Sequence, residues 1–192
     1  MLKAVVHAVG LSIGLLMPAT GGAEAEGQRR VHDFSFTAID GSKMPLSAYA
    51  GKVVMLVNTA SFCGYTRQYA GLQALWESYE AKGLIVIGVP SNDFNQEPDG
   101  EAKIADFCQG AFGVTFPLTE KVSVKGSAAH PVYKWIDNVL NGNGAPGWNF
   151  HKFLIGADGV SVQSFGTQVT PESPELTAAN ARELQKSSGS RS

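Results

Sequence analysis

Apolar runs separated by polar turns predict a chain of short strands and helices. Residues 53–57 and 84–89 are continuous, largely β-branched runs bounded by glycine or proline, which indicates strands buried on both faces. Between them apolar residues recur at helical spacing, at Leu72, Leu75, Trp76 and Tyr79. Thr66 is the predicted N-cap of this helix and Gly83 its end. A strand, a helix and a second strand in this order predict a parallel pair joined by a right-handed crossover.

The rest of the pattern predicts elements on both sides of this unit. Asp40-Gly41 signals one hairpin turn, and Ala157-Asp158-Gly159 joins two strands into another hairpin. The predicted strands lie at 114–118, 150–155 and 160–165, and the predicted helices at 101–109, 131–140 and from 171 to about 185. The sum is one α/β domain over 27–186 with a mixed central β-sheet flanked by helices, as in a thioredoxin-like fold. A polar tail follows over 187–192.

The first residues form a different kind of segment. Lys3 precedes an apolar stretch over 4–17, which is shorter than the ~20 residues that span a bilayer. Small residues follow it. This order predicts a secretory signal peptide over 1–23, cut after Ala23 or Ala25, and hence a periplasmic or secreted protein. The alternative is a buried N-terminal helix, which leaves the protein in the cytoplasm.

Length, charge and cysteine content narrow the class of protein. The chain has 192 residues and a net charge of −2, so it offers no basic surface for nucleic acid and no cationic face for a membrane. Its two cysteines, Cys63 and Cys108, exclude a disulfide-rich scaffold and a cysteine-rich zinc site, and neither belongs to a CxxC pair. His32, His130 and His151 lack the spacing of metal ligands. We therefore expect no metal and no cofactor.

Cys63 is the main candidate for chemistry because it comes directly after a buried strand and three residues before a predicted helix. Strand C-termini and helix N-termini meet at the functional edge of an open α/β sheet. Free backbone N–H groups and the helix dipole favour a thiolate there, but a helix terminus contributes only ~0.3–1 kcal/mol. Further donors are needed. Gln96 follows the second strand, and Trp148 and Asn149 precede the late hairpin. Their amide and indole groups suit a thiolate, although each residue alone fits a core or loop-cap role equally well.

Several segments of the chain resemble the glutathione peroxidase family, in the family's order. They are 58–66, Gln68-Tyr69, Gly71-Leu72, Asn92 and Phe94, 96–98, Phe107-Cys108, 113–117, 129–131 and 148–150. The similarity runs from about Val31 to Leu176. It implies a peroxidase that reduces hydrogen peroxide and organic hydroperoxides. By this resemblance Cys63 is the cysteine that attacks the peroxide, and Gln96, Trp148 and Asn149 are its catalytic partners.

The resemblance also implies how the enzyme is reduced. Cys108 falls where thioredoxin-dependent members keep their resolving cysteine, and the insertion that builds the tetramer of the mammalian selenoenzymes is missing between 138 and 147. This favours a monomer that uses a thioredoxin-like dithiol protein rather than glutathione. Two positions depart from the family pattern. Asn95 alone separates Phe94 from Gln96, where members commonly have two residues, and Ser91 replaces a third cysteine found in many members.

The implied mechanism has three steps. The Cys63 thiolate attacks the peroxide and becomes a sulfenic acid, Cys108 condenses with it to a disulfide, and an external dithiol protein reduces the disulfide. The predicted helix that carries Cys108 is rich in small and polar residues and should unwind easily. Three alternatives remain: a peroxide sensor that uses the same residues, a dithiol–disulfide oxidoreductase, and a binding module without catalysis. The second of these lacks its second cysteine, because Thr66 stands at that position.

Overall fold

The computed structural model describes residues 29–97 and 100–189, so the predicted signal peptide lies outside the described residues. Its centre is a four-stranded sheet with the order β4-β3-β5-β6. The strands are β3 (Val53–Thr59), β4 (Leu84–Pro90), β5 (Lys152–Ile155) and β6 (Val162–Phe165). β3 runs parallel to β4 and antiparallel to β5, which confirms the mixed sheet. A separate hairpin of β1 (Ser35–Thr37) and β2 (Lys43–Pro45) precedes it.

Every residue of β3 and β4 is buried, because other elements cover both faces of the sheet. The α-helices are α1 (Gln68–Tyr79), α2 (Glu101–Phe112), α3 (Pro131–Val139) and α4 (Pro174–Gly189). Alternate residues of a strand point to opposite faces. Met55 and Val57 accordingly join the core with α1, α2 and α4, and Leu56 joins the core with α3 and the hairpin. Among the described residues, no helix combines the length and apolarity of a bilayer-spanning segment.

Three local predictions are wrong. The segment 114–118 is not a strand: Leu118 makes an isolated parallel bridge to Gly88, and Pro117 has no N–H with which to extend a ladder. Thr66 does not cap α1, whose N-cap residue is Arg67. The last helix begins at Pro174 and runs to Gly189, so it includes the start of the predicted polar tail, where the Ser187 side chain is buried.

The register of the parallel pair positions the functional edge. Thr59, the last residue of β3, lies opposite Pro90, the last residue of β4. The N–H of Ser91 donates to the carbonyl of Thr59 over 3.1 Å. The loop that carries Cys63 and the loop that carries Gln96 therefore leave the sheet side by side.

Candidate active site

Cys63 lies in a tight turn between β3 and α1. The Thr66 hydroxyl accepts the N–H of Cys63 at 3.0 Å, and its oxygen lies 2.7 Å from the carbonyl oxygen of Cys63, to which it donates. The N–H of Thr66 donates to the same carbonyl. Thr66 thus closes the turn around the cysteine, a role that the helix-cap interpretation missed. A second cysteine at this position would remove that contact.

The sulfur of Cys63 is a free thiol and largely buried. The N–H of Tyr65 donates to Sγ at 3.4 Å. A backbone donor aimed at sulfur can strengthen its hydrogen bond as negative charge develops there during a reaction. The turn before α1 therefore holds this sulfur, with one backbone donor aimed at it, at the edge of the sheet.

Gln96 is brought back to this turn by a short loop. Asn95 takes a left-handed backbone conformation with φ +57°, and its N–H donates to the carbonyl of Asn92 at 2.9 Å. The carbonyl of Gln96 then accepts the N–H of Phe62, the residue before Cys63, at 2.9 Å. The single residue between Phe94 and Gln96 is thus accommodated by a tight turn, and it does not displace Gln96 from the site.

Asn149 joins Gln96 directly. Its Nδ2 donates to Oε1 of Gln96 at 2.9 Å, and the Asn149 side chain is fully buried. The next residue, Phe150, has φ +59° and donates its N–H to the carbonyl of Asn58 at 2.6 Å. Nδ2 of Asn58 returns a bond to the carbonyl of Trp148 at 3.0 Å. This strained turn is fastened to the end of β3, which places Asn149 against Gln96.

Two donors of this group have no acceptor within the described part of the chain: Nε2 of Gln96 and the indole N–H of Trp148. The Trp148 ring is 40% exposed and packs on Phe94 with ring centroids 5.1 Å apart. No described hydrogen bond runs from Sγ of Cys63 to Gln96, Trp148 or Asn149. The structure therefore brings their loops together at one edge and leaves donors available for an incoming oxygen atom.

Cys108 occupies a different environment. It lies on α2 as a fully buried free thiol, and burial raises its pKa to about 11. Ile104 and Cys108 are the buried residues of this helix. The neighbouring Phe107 packs against Phe62 with ring centroids 6.2 Å apart. Cys108 thus belongs to a thinly anchored helix that touches the residue next to Cys63.

Sequence reasoning missed two buried charged groups near the site. Ser61 donates its hydroxyl to Oε1 of Glu97 at 2.6 Å, and burial raises the pKa of Glu97 to about 7. Nζ of Lys152 donates to Oε1 of Gln68, the first residue of α1, and burial lowers its pKa to about 8. The position of Lys152 within the apolar run 150–155 signals a buried charge in the sequence. Glu97 lies among other polar loop residues, so the sequence gives no such signal there.

The histidines have contacts of their own. Nδ1 of His130 accepts the N–H of Val132 and caps α3, and its ring stacks on Phe36. His151 pairs with the hydroxyl of Ser164 at 2.7 Å. Within the described residues, no three His, Cys, Asp or Glu side chains cluster as metal ligands.

A free thiol that follows a parallel strand, on a loop hydrogen-bonded to the loop of Gln96 at the edge of a four-stranded mixed sheet, is typical of thiol-based oxidoreductases of thioredoxin-like fold. A thiol:disulfide interchange protein of the thioredoxin family from Chlorobium tepidum shares this fold, with a TM-score of 0.58 at 16% identity over 79% of this chain and 92% of that one. The glutathione peroxidase family profile matches residues 31–137.

Relatives agree with that match. The chain is 42% identical to the hydroperoxy fatty acid reductase gpx1 of Synechocystis sp., over 77% of this chain and 93% of that protein. It is 43% identical to the glutathione peroxidase-like peroxiredoxin gpx1 of Schizosaccharomyces pombe, over 69% and 86%. The crystal structure of T. cruzi GPX1 matches with a TM-score of 0.66 at 30% identity, over 82% and 97%. The chain belongs to the glutathione peroxidase family and is a thiol-dependent peroxidase.

Proposed function

We propose that Cys63 is the residue that reduces hydrogen peroxide and organic hydroperoxides. Its thiolate attacks the outer oxygen of the peroxide, the O–O bond breaks, and the products are a Cys63 sulfenic acid and water or an alcohol. The observation that carries the proposal is the sulfur of Cys63, which accepts the Tyr65 N–H on a loop whose Phe62 N–H is bonded to Gln96, the hydrogen-bond partner of Asn149.

Gln96, Trp148 and Asn149 stabilise the charge that moves from sulfur to the leaving oxygen. Oε1 of Gln96 accepts from Asn149, which turns the Nε2 donor of Gln96 away from that partner. The indole N–H of Trp148 supplies a second donor at a partly exposed position. Neutral donors that are already oriented lower the barrier without burying a countercharge.

Cys108 resolves the sulfenic acid. Its sulfur displaces the oxygen of the Cys63 sulfenic acid, which leaves as water, and an internal disulfide forms. For the two sulfurs to meet, α2 must unwind locally. This unwinding costs little free energy, because α2 buries only Ile104 and Cys108 among its described side chains and ends at Gly113 with φ +62°. A thioredoxin-like dithiol protein then reduces the disulfide, and the exposed Phe62 and Trp148 rings offer it an apolar contact beside the site.

We further propose that the enzyme is a monomer that is exported after cleavage of residues 1–23. The charged start, the short apolar stretch and the small residues that follow it support export. Mass spectrometry of the periplasmic fraction tests it: the mature chain should begin near Glu24 or Glu26. Soluble cytoplasmic protein with an intact Met1 would contradict export.

Peroxide consumption with a panel of reductants tests the proposed activity. Thioredoxin or a periplasmic dithiol carrier should support turnover better than glutathione, and Cys63→Ser should abolish it with each of them. Cys108→Ser serves as the matched cysteine control, because it should keep one stoichiometric reaction with peroxide and lose turnover with the dithiol protein. Near-normal turnover of Cys63→Ser would contradict the proposal. A stable mixed disulfide with one partner and little turnover would identify a peroxide sensor.

A further inference from the structure

The carboxyl group of Glu97 is buried against the loop that carries Cys63. Oε1 of Glu97 accepts the Ser61 hydroxyl at 2.6 Å, and the adjacent Gln96 carbonyl accepts the Phe62 N–H at 2.9 Å. Ser61 and Glu97 are both buried. Hydrogen bonds to Ser61 and Phe62, the two residues before Cys63, therefore hold the Glu97 segment against the Cys63 loop.

The second oxygen of Glu97 faces a buried polar cluster. Oε2 of Glu97 is buried without a hydrogen-bond partner among the described residues. The buried Tyr69 hydroxyl interacts with the Cys108 thiol and the Thr59 hydroxyl. The titratable groups whose charges act on Glu97, or on which it acts, are Cys108 from α2, Tyr69 from α1 and Lys121. The carboxyl group is thus bonded to the Cys63 loop and lies close enough to Cys108 for the two charges to interact.

Disulfide formation requires the Cys108 thiol to lose its proton and the oxygen that leaves Cys63 to gain one. We propose, on the basis of the proposed resolving role of Cys108, that Oε2 of Glu97 accepts the Cys108 proton and then returns it to the leaving oxygen. The Cys108 sulfur forms the S–S bond as the Cys63 S–O bond breaks, and the oxygen departs as hydroxide. The proton from Glu97 converts that hydroxide to water, so the carboxylate is regenerated.

Proton transfer from Cys108 to Glu97 is disfavoured while α2 is folded and becomes easier when α2 unwinds. Burial raises the pKa of Cys108 to about 11 and that of Glu97 to about 7, so proton transfer at rest is disfavoured about ten-thousand-fold. When α2 opens, the thiol approaches its ordinary pKa of ~8.5, and the disadvantage falls to roughly thirtyfold. Glu97, anchored to Ser61 rather than to α2, stays with the Cys63 loop, where the opened Cys108 must arrive.

Single-turnover kinetics with one equivalent of hydrogen peroxide test the role of Glu97. The sulfenic acid is trapped with dimedone, and the disulfide is followed by mass spectrometry under non-reducing conditions. In Glu97→Gln, sulfenic acid should form at the wild-type rate, and disulfide formation should slow by about a hundredfold or more. Glu97→Asp should restore part of that rate. Glu80→Gln, the same change at an exposed position after α1, is the matched control and should keep the wild-type rate of disulfide formation.

The pH profile separates a proton acceptor from a structural residue. The wild-type rate of disulfide formation should rise up to about pH 7 and then level off, whereas Glu97→Gln should keep rising about tenfold per pH unit toward pH 8.5, where Cys108 ionises without help. Equal rates and equal profiles in the two proteins would overturn the inference. If Glu97→Gln does not fold, the wild-type profile decides, and a rate that rises steadily through pH 7 would overturn it. A wild-type protein that forms no Cys63–Cys108 disulfide would instead refute the resolving role of Cys108.

Discussion

Phe62 packs against Phe107, with ring centroids 6.2 Å apart and ring planes inclined at 42°. Each ring belongs to the residue directly before a cysteine, Cys63 in one case and Cys108 in the other. Phe62 is otherwise 67% exposed, which is unusual for a large apolar side chain. The contact links the loop that carries Cys63 to α2, so the proposed unwinding of α2 would break or move it.

Removing this contact should loosen α2. An aromatic pair contributes ~0.5–1.5 kcal/mol beyond the burial of its area, so Phe62→Ala should speed the opening of α2 about two- to twelvefold. Hydrogen exchange of the amides within 101–112 measures it. Val160→Ala is the matched control, because Val160 is 41% exposed at a distant hairpin. Unchanged exchange in Phe62→Ala would show that the pair does not hold the helix.

The amide pair should control the reaction of Cys63 with peroxide. Asn149→Ala removes the donor that orients Gln96 and so weakens a hydrogen bond to a charged leaving group, worth ~1.5–3 kcal/mol. The rate of sulfenic acid formation should fall by about ten- to a hundredfold, and stopped-flow mixing with peroxide measures it. Asn138→Ala, at an exposed position of α3, should keep the wild-type rate. A normal rate in Asn149→Ala would remove the pair from the mechanism.

Lys152 should make stability depend on alkaline pH. Its side chain is fully buried, and burial lowers its pKa from 10.5 to about 8. Between these two values the unfolded chain holds the proton and the folded chain does not, so the free energy of unfolding should rise with pH, by at most ~3 kcal/mol. Urea unfolding at about pH 7.5 and about pH 10 measures this rise.

Lys152→Met should remove that contribution, so the difference between variant and wild type isolates Lys152 from the tyrosines and cysteines that titrate in the same range. Lys134→Met, at an exposed position of α3, is the matched control. The same pH dependence in Lys152→Met and in the wild type would contradict the prediction.

Local patterns predicted the elements whose residues are neighbours along the chain. The continuous apolar runs of β3 and β4 identified the buried parallel pair, and the placement of Cys63 after β3 followed from it. The segment 114–118 has the composition of a strand, but Pro117 lacks the N–H donor that a ladder needs. The segment therefore pairs with β4 through a single bridge, between Leu118 and Gly88. The hydrogen bond between Ser61 and Glu97 joins residues 36 positions apart, so no local periodicity reveals it.

In the site, too, the sequence predicts which residues take part but not the contacts that they make. Thr66 has the residue type and position of a helix cap, and only the folded turn shows that it holds Cys63 instead. The joining of Gln96 and Asn149 depends on left-handed backbone at Asn95 and Phe150. Neither residue is a glycine, so sequence alone does not signal these turns.

Peptide mapping of the full chain after one equivalent of hydrogen peroxide shows whether Cys63 attacks the peroxide and whether Cys108 resolves it. Under non-reducing conditions we expect one species, a peptide pair that joins Cys63 to Cys108 through a disulfide, and Cys108→Ser should instead retain a dimedone-reactive Cys63. Cys63 left as a dimedone-reactive sulfenic acid with Cys108 still a free thiol would contradict the resolving role, and an unmodified Cys63 would contradict the claim as a whole.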